Sequence, residues 1–405
     1  MSAAAPLSGV RVLEVGNWMA APGTAAMMAD LGADVVKVEP LSGDPVRGKI
    51  REPEAPNGSG PFDASFHNDN RGKRGVAVAV NTPEGAALVR RLALGADVFV
   101  NNLLLGRQKR FGLDAETLLA ACPRLVHVTL TGYGLEGPDA ERPGYDITAF
   151  FGRGGITHSI TEPGDWAPRA RPAVGDHTTA LAALASVLAA LRLVEQTGEG
   201  QVVDVNLFAT AAWVMATDLS STLVDGENPQ QNGRRHRRHA LHEAFLCADG
   251  RWVLLFMPEP HWWPRFADVV GHPEWVDDPR MADLPTRTEN MAYVTEQLDD
   301  AMATRPLAEW GGLFDEAGFI WAPAATVSEL ADDAHAAALG LFPEVAHPTA
   351  GSIRTVGTPL RIRGADIAPR GPAPGIGQHT REVLLEAGLT ADDVGALLEA
   401  GVIGG

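Results

Sequence analysis

Between residues 10 and 205, short β-branched runs alternate with helical segments, and that alternation restricts the fold more than any other feature of the chain. Val10-Arg-Val-Leu-Glu-Val15, Asp34-Val-Val-Lys-Val-Glu39, residues 76–80, Ala96-Asp-Val-Phe-Val100, Leu125-Val-His-Val-Thr-Leu130 and Gln201-Val-Val-Asp-Val205 read as strands. Helices are expected at residues 24–31, closed by Gly32, and from Thr82-Pro-Glu-Gly85, where Pro suits a first helical position. Another is expected around residues 114–121. Strands separated by helices imply an α/β fold with a parallel sheet.

Residues 178–194 carry the strongest helix signal. Leu181, Leu184, Leu188 and Leu191 share one face and alanines fill most of the rest, which predicts a helix buried nearly all round. Its apolar run stops at Arg192, short of the ~20 residues that span a bilayer, so no membrane association is expected. After Leu219 the texture changes. A polar, basic stretch with Arg234, Arg235, Arg237 and Arg238 precedes a segment rich in tryptophan (Trp252, Trp262, Trp263, Trp275, Trp310, Trp321), which predicts a domain boundary. From about Ser328 helix and strand signals return.

A net charge of −18 over 405 residues repels phosphate backbones and argues against a nucleic-acid partner. Cys122 and Cys247 stand alone, so neither a disulfide framework nor a thiolate metal cluster is expected, and no metal site is read. No basic and apolar leader is visible in residues 1–7, and the chain reads as cytoplasmic.

The first strand, loop and helix have the layout of a nucleotide-binding crossover, with Glu39 where a dinucleotide fold keeps its ribose acid. Yet Gly16-Asn-Trp-Met-Ala-Ala-Pro-Gly23 is not G-x-G-x-x-G, because Trp18 and Met19 stand where glycine is needed for pyrophosphate approach. A structural βαβ unit is the favoured reading.

Several segments in order resemble the class III CoA-transferase family, which includes formyl-CoA and carnitine CoA-transferases and the related α-methylacyl-CoA racemases. They include Pro6-Leu-Ser-Gly-Val-Arg-Val-Leu-Glu14, Ala21-Pro-Gly23, Asp30 to Glu39 followed by Gly43-Asp44, Asn70-Arg-Gly-Lys-Arg74 and Asn81-Thr-Pro-Glu-Gly85. Gly144-Tyr-Asp146, Val174-Gly-Asp176, Thr197-Gly-Glu-Gly-Gln201, Val356-Gly-Thr-Pro359 and His379-Thr380 continue the match over nearly the whole chain. The resemblance implies a Rossmann-like parallel-sheet domain built from both chain ends, an inserted smaller α+β domain, and an interlocked homodimer. With the change of texture, it divides the chain into residues 1–220 (large CoA-binding domain), 221–330 (small domain with linkers) and 331–405 (return to the large domain).

The resemblance also implies that Asp176 is the nucleophile, with the alternative that it merely caps the helix that follows. A carboxylate attacking an acyl-CoA thioester gives a mixed anhydride, so CoA can pass to another carboxylic acid without hydrolysis. Carboxylates have pKa ~4 and alkyl thiols ~8.5, so the anhydride lies uphill and binding energy from the CoA handle must offset it. CoA or acyl-CoA is expected as substrate, with no tightly bound cofactor. Carried over by position, its contacts fall on Met19 and Ala20, on Val78, Ala79, Val80 and Asn81, on Asn102, Leu103 and Leu104, on Arg110, and on Gly144, Tyr145, Asp146 and Ile147. The racemase branch carries histidine where this chain has Tyr145, which argues against α-proton transfer, with His158 or His177 as conceivable stand-ins. A racemase or isomerase, or a non-catalytic CoA-binding protein, remains the alternative. Pro40 and Met19 depart from formyl-CoA transferases, and the basic run Asn232-Gly-Arg-Arg-His-Arg-Arg-His239 reads either as an anion-attracting loop or as a solvated linker. Phe150 and Phe151, with Trp262 and Trp263, either hint at an aromatic acid or fill a core.

Overall fold

The β-branched runs pair side by side as β1 (Arg11–Val15), β2 (Asp34–Glu39), β3 (Arg74–Val78), β4 (Val98–Asn101), β5 (Val126–Thr131) and β6 (Gln201–Asn206). The computed structural model describes residues 4–229, 233–235 and 237–405. Further along stand β7 (His242–Leu246), β8 (Trp252–Phe256), β9 (Trp321–Pro323), β10 (Glu344–His347), β11 (Gly351–Arg354) and β12 (Ile403–Gly404). The main sheet has the order β12-β3-β2-β1-β4-β5-β6, parallel except for β12, which runs antiparallel to β3. Two residues are too short a run for any periodicity to announce, so β12 was not legible in the sequence.

Helices α1 (Ala20–Asp30), α2 (Ala64–Asn70), α3 (Pro83–Ala93), α4 (Leu105–Phe111), α5 (Ala115–Ala121), α6 (Ile156–Ser159) and α7 (Val174–Thr197) follow the strands, then α8 (Leu207–Val214) and α9 (Ala216–Asp225). Val12, Val98, Val100 and Val126 turn to one side of the sheet with α1 and α7, while Leu13, Val76 and Phe99 turn to the other with Leu88, Val89 and Leu92 of α3. Both faces are covered, which is why these strands read as continuous apolar runs.

Helix α1 starts four residues before the expected Thr24, because Pro22 falls in the first turn, where its missing N–H would have no intrahelical partner. Helix α7 corrects a second expectation. Its alanine-rich side, with Ala180, Ala183, Leu184, Val187 and Ala190, is buried, but Leu181, Leu188 and Leu193 are exposed. Small residues let α1 and α7 approach closely, and the larger leucines are left on the far side. Truncating Leu184 to alanine would cost roughly 2–5 kcal/mol. By length and composition this helix could cross a membrane, and its alanine face lies against α1, β5 and β6.

The chain divides into two compact units. The first holds residues up to His158, Arg169–Glu227 and Ala334–Gly405, and the second holds Ser159–Pro168 and Asn228–Asp333. In the second, the antiparallel sheet β7-β8-β9 packs Phe245, Val253 and Leu255 with Trp263, Phe266, Trp310 and Phe314. The tryptophan-rich texture is therefore a separate core. Trp263 is buried within it and Trp262 donates its Nε1–H to Glu259, while Phe150 and Phe151 pack with Leu207 and Ala211 in the first unit, so these aromatics fill cores.

Of the basic run, Asn232 and His236 lie outside the described residues. Arg234 makes a two-pronged ion pair with Asp299 at 2.5 and 2.6 Å, and buried Arg237 pairs with Glu243 at 2.9 Å. Both guanidinium groups are thus paired with carboxylates rather than free for an anion.

Candidate active site

Strand order turns at β1, with β2 and β3 on one side and β4, β5 and β6 on the other. The loops leaving the carboxyl ends of β1 and β4 therefore part, and open α/β sheets take ligands in the crevice so formed. A cavity of about 580 Å³ lies there. Trp18, Met19 and Ala20 line it from the β1 side, and Asn102, Leu103 and Leu104 from the β4 side. The loops are tied together: the Asn17 N–H donates to Asn102 Oδ1 (3.2 Å) and Asn102 Nδ2 donates to the Asn17 carbonyl (2.8 Å). Gly144, Tyr145, Asp146 and Ile147 form another wall, and Asp176 at the start of α7 completes it.

A second cavity, about 450 Å³, opens at the ends of β2 and β3. Val78, Ala79, Val80 and Asn81 line it together with Pro40, Leu41 and Ser42. Asn17, Leu103 and Arg107 line both cavities. Arg110 lines neither; its guanidinium lies 5.7 Å from the Phe111 ring centre. Arg107, three residues earlier on the same helix, was missed because Arg110 came by position from the family resemblance and nothing in the sequence marks Arg107 as facing a cavity.

Helix α7 begins without a cap of its own. Its N-cap residue is Ala173, at φ 69°, with no side-chain acceptor, and Asp176 is the third helical residue rather than the cap. The capping carboxylate comes from elsewhere: Asp146 Oδ1 accepts the Gly175 N–H at 3.0 Å and bonds the Ala173 backbone as well. Those N–H groups are thus engaged by Asp146 rather than left for a developing charge. The Gly-Asp step has a steric cause, since a Cβ at Gly175 would sit 2.2 Å from Asp146 Oδ1 and 2.4 Å from the Phe150 ring. A second non-glycine residue at positive φ, Trp18 (66°), meets Tyr145 edge-on at 5.6 Å across the cavity wall. Both sit where L-residues are strained, as at many functional sites.

Burial pushes the Asp176 carboxyl up to about 7, and the charges of Asp146 and Asp69 add to the rise while His177 opposes it. The Asp146 carboxyl is also raised, by burial first, and its Oδ2 is buried without a hydrogen-bond partner among the described residues. His177 bonds through Nε2 to buried Asp69 Oδ1 at 3.0 Å, and that bond raises its pKa. His177 does not line the cavity, nor does His158 on α6.

Beneath the β1 loop runs a buried ionic network. Glu14 accepts from Lys37 (2.9 Å) and Lys73 (2.6 Å), and Lys37 also donates to the Gly16 carbonyl and pairs with Asp44 at 3.0 Å. Burial opposes the Glu14 charge, but the two lysines overcome it and hold the carboxyl low; burial draws Lys73 down to about 8. Asp44 Oδ1 accepts the Trp18 N–H, so the network fixes the loop that walls the cavity. Glu39 is fully buried in a bidentate pair with Arg47 (2.8 Å on both arms), which removes it as a ribose ligand.

Among the described residues no group of His, Cys, Asp and Glu side chains is arranged to hold a metal ion. The profile of CoA-transferase family III matches residues 7–380. The chain is 31% identical over 401 residues to the (R)-2-hydroxy-4-methylpentanoate CoA-transferase of Clostridioides difficile, covering 98% of this chain and 99% of that one. It is 29% identical to the cinnamoyl-CoA:phenyllactate CoA-transferase of Clostridium sporogenes, over 96% of this chain and 94% of that one. Among solved structures, a CaiB/BaiF family protein from Brucella suis superposes with a TM-score of 0.85 at 30% identity, covering 95% of this chain and 100% of the other.

Proposed function

The chain belongs to CoA-transferase family III, and on that premise we propose that it moves CoA between an acyl-CoA thioester and a free carboxylic acid, with Asp176 as the nucleophile. The observation that carries this reading is a carboxyl in the wall of the switch-point cavity whose burial raises its pKa to about 7. A more basic carboxylate is a better nucleophile toward a thioester and narrows its gap from a thiol of pKa ~8.5.

An Asp176 oxygen attacks the thioester carbonyl, the C–S bond breaks, and CoA leaves as thiolate. The acceptor carboxylate attacks Asp176 Cγ and expels the donor acid, and thiolate then attacks the acceptor's acyl carbon and frees Asp176. No net proton is consumed. Exclusion of water protects the anhydride, and a half-buried carboxyl in a cavity wall shared with Trp18, Met19 and Ile147 is suited to that. Apolar side chains dominate the wall, and Arg107 is the only cation in it among the described residues. Relatives of similar identity are named both for 2-hydroxy acids with apolar bodies and for succinate and glutarate, so it is the apolar wall that favours acceptor acids of one carboxylate and an apolar body over dicarboxylates.

The exposed leucines of α7, with Trp213 and Val224 exposed by 80% and 88%, suit association of two copies, which sedimentation would read directly. Asp176→Ala should abolish exchange while CoA still binds; unchanged turnover removes the reading. A mass-spectrometric screen of acyl-CoA donors against mixed free acids would identify the acceptor, and a preference for succinate or glutarate would refute the apolar assignment.

A further inference from the structure

We propose that Arg107 binds the diphosphate of CoA where the two cavities meet, a role that rests on the transferase reading above. CoA is long, with an acyl-bearing thiol at one end, a nucleotide at the other and the diphosphate between. An acyl group reacting at Asp176 occupies the larger cavity, so the nucleotide extends into the smaller one at the ends of β2 and β3. The diphosphate then crosses the shared wall of Asn17, Leu103 and Arg107, of which only Arg107 is charged. It is also the only cation lining either cavity among the described residues.

Several other arginines of this unit are held by acids, Arg47 by Glu39, Arg71 by Asp30, Arg74 by Asp34 and Arg153 by Asp139, and Arg110, which likewise meets no acid partner among the described residues, lines neither cavity. The Arg107 guanidinium is exposed and meets no hydrogen-bond or ion-pair partner among the described residues, so its planar fork is free for two phosphate oxygens. A chain of net charge −18 repels a polyanionic substrate overall, and a free cation at the crossing offsets that locally.

The test is equilibrium binding of CoA to the full chain and to Arg107→Gln, Arg107→Lys and Arg110→Gln, repeated as salt is raised. Arg107 is exposed and unpartnered, so its variants fold. Arg107→Gln should weaken CoA about 10- to 150-fold, the worth of a charge-assisted contact, and flatten the salt dependence. Lysine should restore part of the affinity, and pantetheine, which lacks the phosphates, should show no such discrimination. Arg107→Gln binding CoA as the wild type does, or a loss confined to Arg110→Gln, overturns this inference alone. A wild-type chain that fails to bind CoA sinks the transferase reading and this inference with it.

Discussion

Asp176→Asn should stabilise the folded chain, by an amount that grows with pH. Burial, reinforced by Asp146 and Asp69, lifts the carboxyl from an ordinary 3.8 to about 7. Between those values the folded chain keeps a proton that the unfolded chain has released. Stability therefore falls by about 1.4 kcal/mol for each pH unit across that interval, and roughly 4 kcal/mol is gone once the pH exceeds about 7. The sign follows from a raised folded value: the contribution is intact below the unfolded pKa and lost as pH rises through the folded one. An amide has nearly the same shape and nothing to ionise, so the variant escapes the loss. Urea unfolding of both proteins from about pH 4 to about pH 8 should give curves that coincide in acid and separate by a few kcal/mol in base. Exchange of α7 amides provides a local readout of the same difference. A gap that does not change with pH, or a variant less stable throughout, refutes the reasoning, because Asp176 would then titrate as an ordinary carboxyl. The outcome expected is the familiar conflict between a reactive site and a stable one.

Three further predictions concern its neighbours. His177→Gln removes the positive charge that lowers the Asp176 pKa, so the acid limb of the exchange rate should move to higher pH, and an unmoved limb would separate His177 from the reaction. Asp146→Asn keeps an acceptor for Gly175 but removes the charge that raises Asp176, so the limb should move to lower pH; Asp146→Ala should in addition cost about 1 kcal/mol of stability from lost capping, read in denaturant melts. Glu14→Gln leaves Lys37 and Lys73 buried without their shared carboxylate and should cost roughly 3–5 kcal/mol in denaturant melts, whereas a neutral effect would remove the network as a support of the β1 loop.

The parallel sheet was legible because strands covered on both faces leave continuous runs such as those of β1, β2 and β5, and Gly and Pro mark their ends. What α7 exposes was not legible: an alanine-and-leucine helix looks the same all round, and only packing against α1 reveals that the alanines face inward. Asp176 stood out through its resemblance to a family motif, but the sequence did not say that Asp146, thirty residues earlier, caps its helix or raises its pKa. Non-local hydrogen bonds leave no periodic trace. The sequence favoured a structural role for the unit that holds Glu39 and left Arg234 between an anion-attracting loop and a solvated linker; their partners, Arg47 and Asp299, were visible in neither case. Arg107 escaped notice because a free guanidinium on a surface helix resembles any solvated charge until two cavities are seen to share it.

The central claim is that an Asp176 oxygen becomes bonded to the acyl group in every turnover. An acceptor acid labelled with oxygen-18 in both carboxylate positions tests it, by mass analysis of the product thioester and of the peptide that carries Asp176. The mechanism predicts one labelled oxygen in the thioester and the other left in Asp176. Rapid product formation with Asp176 unlabelled after many turnovers would contradict it.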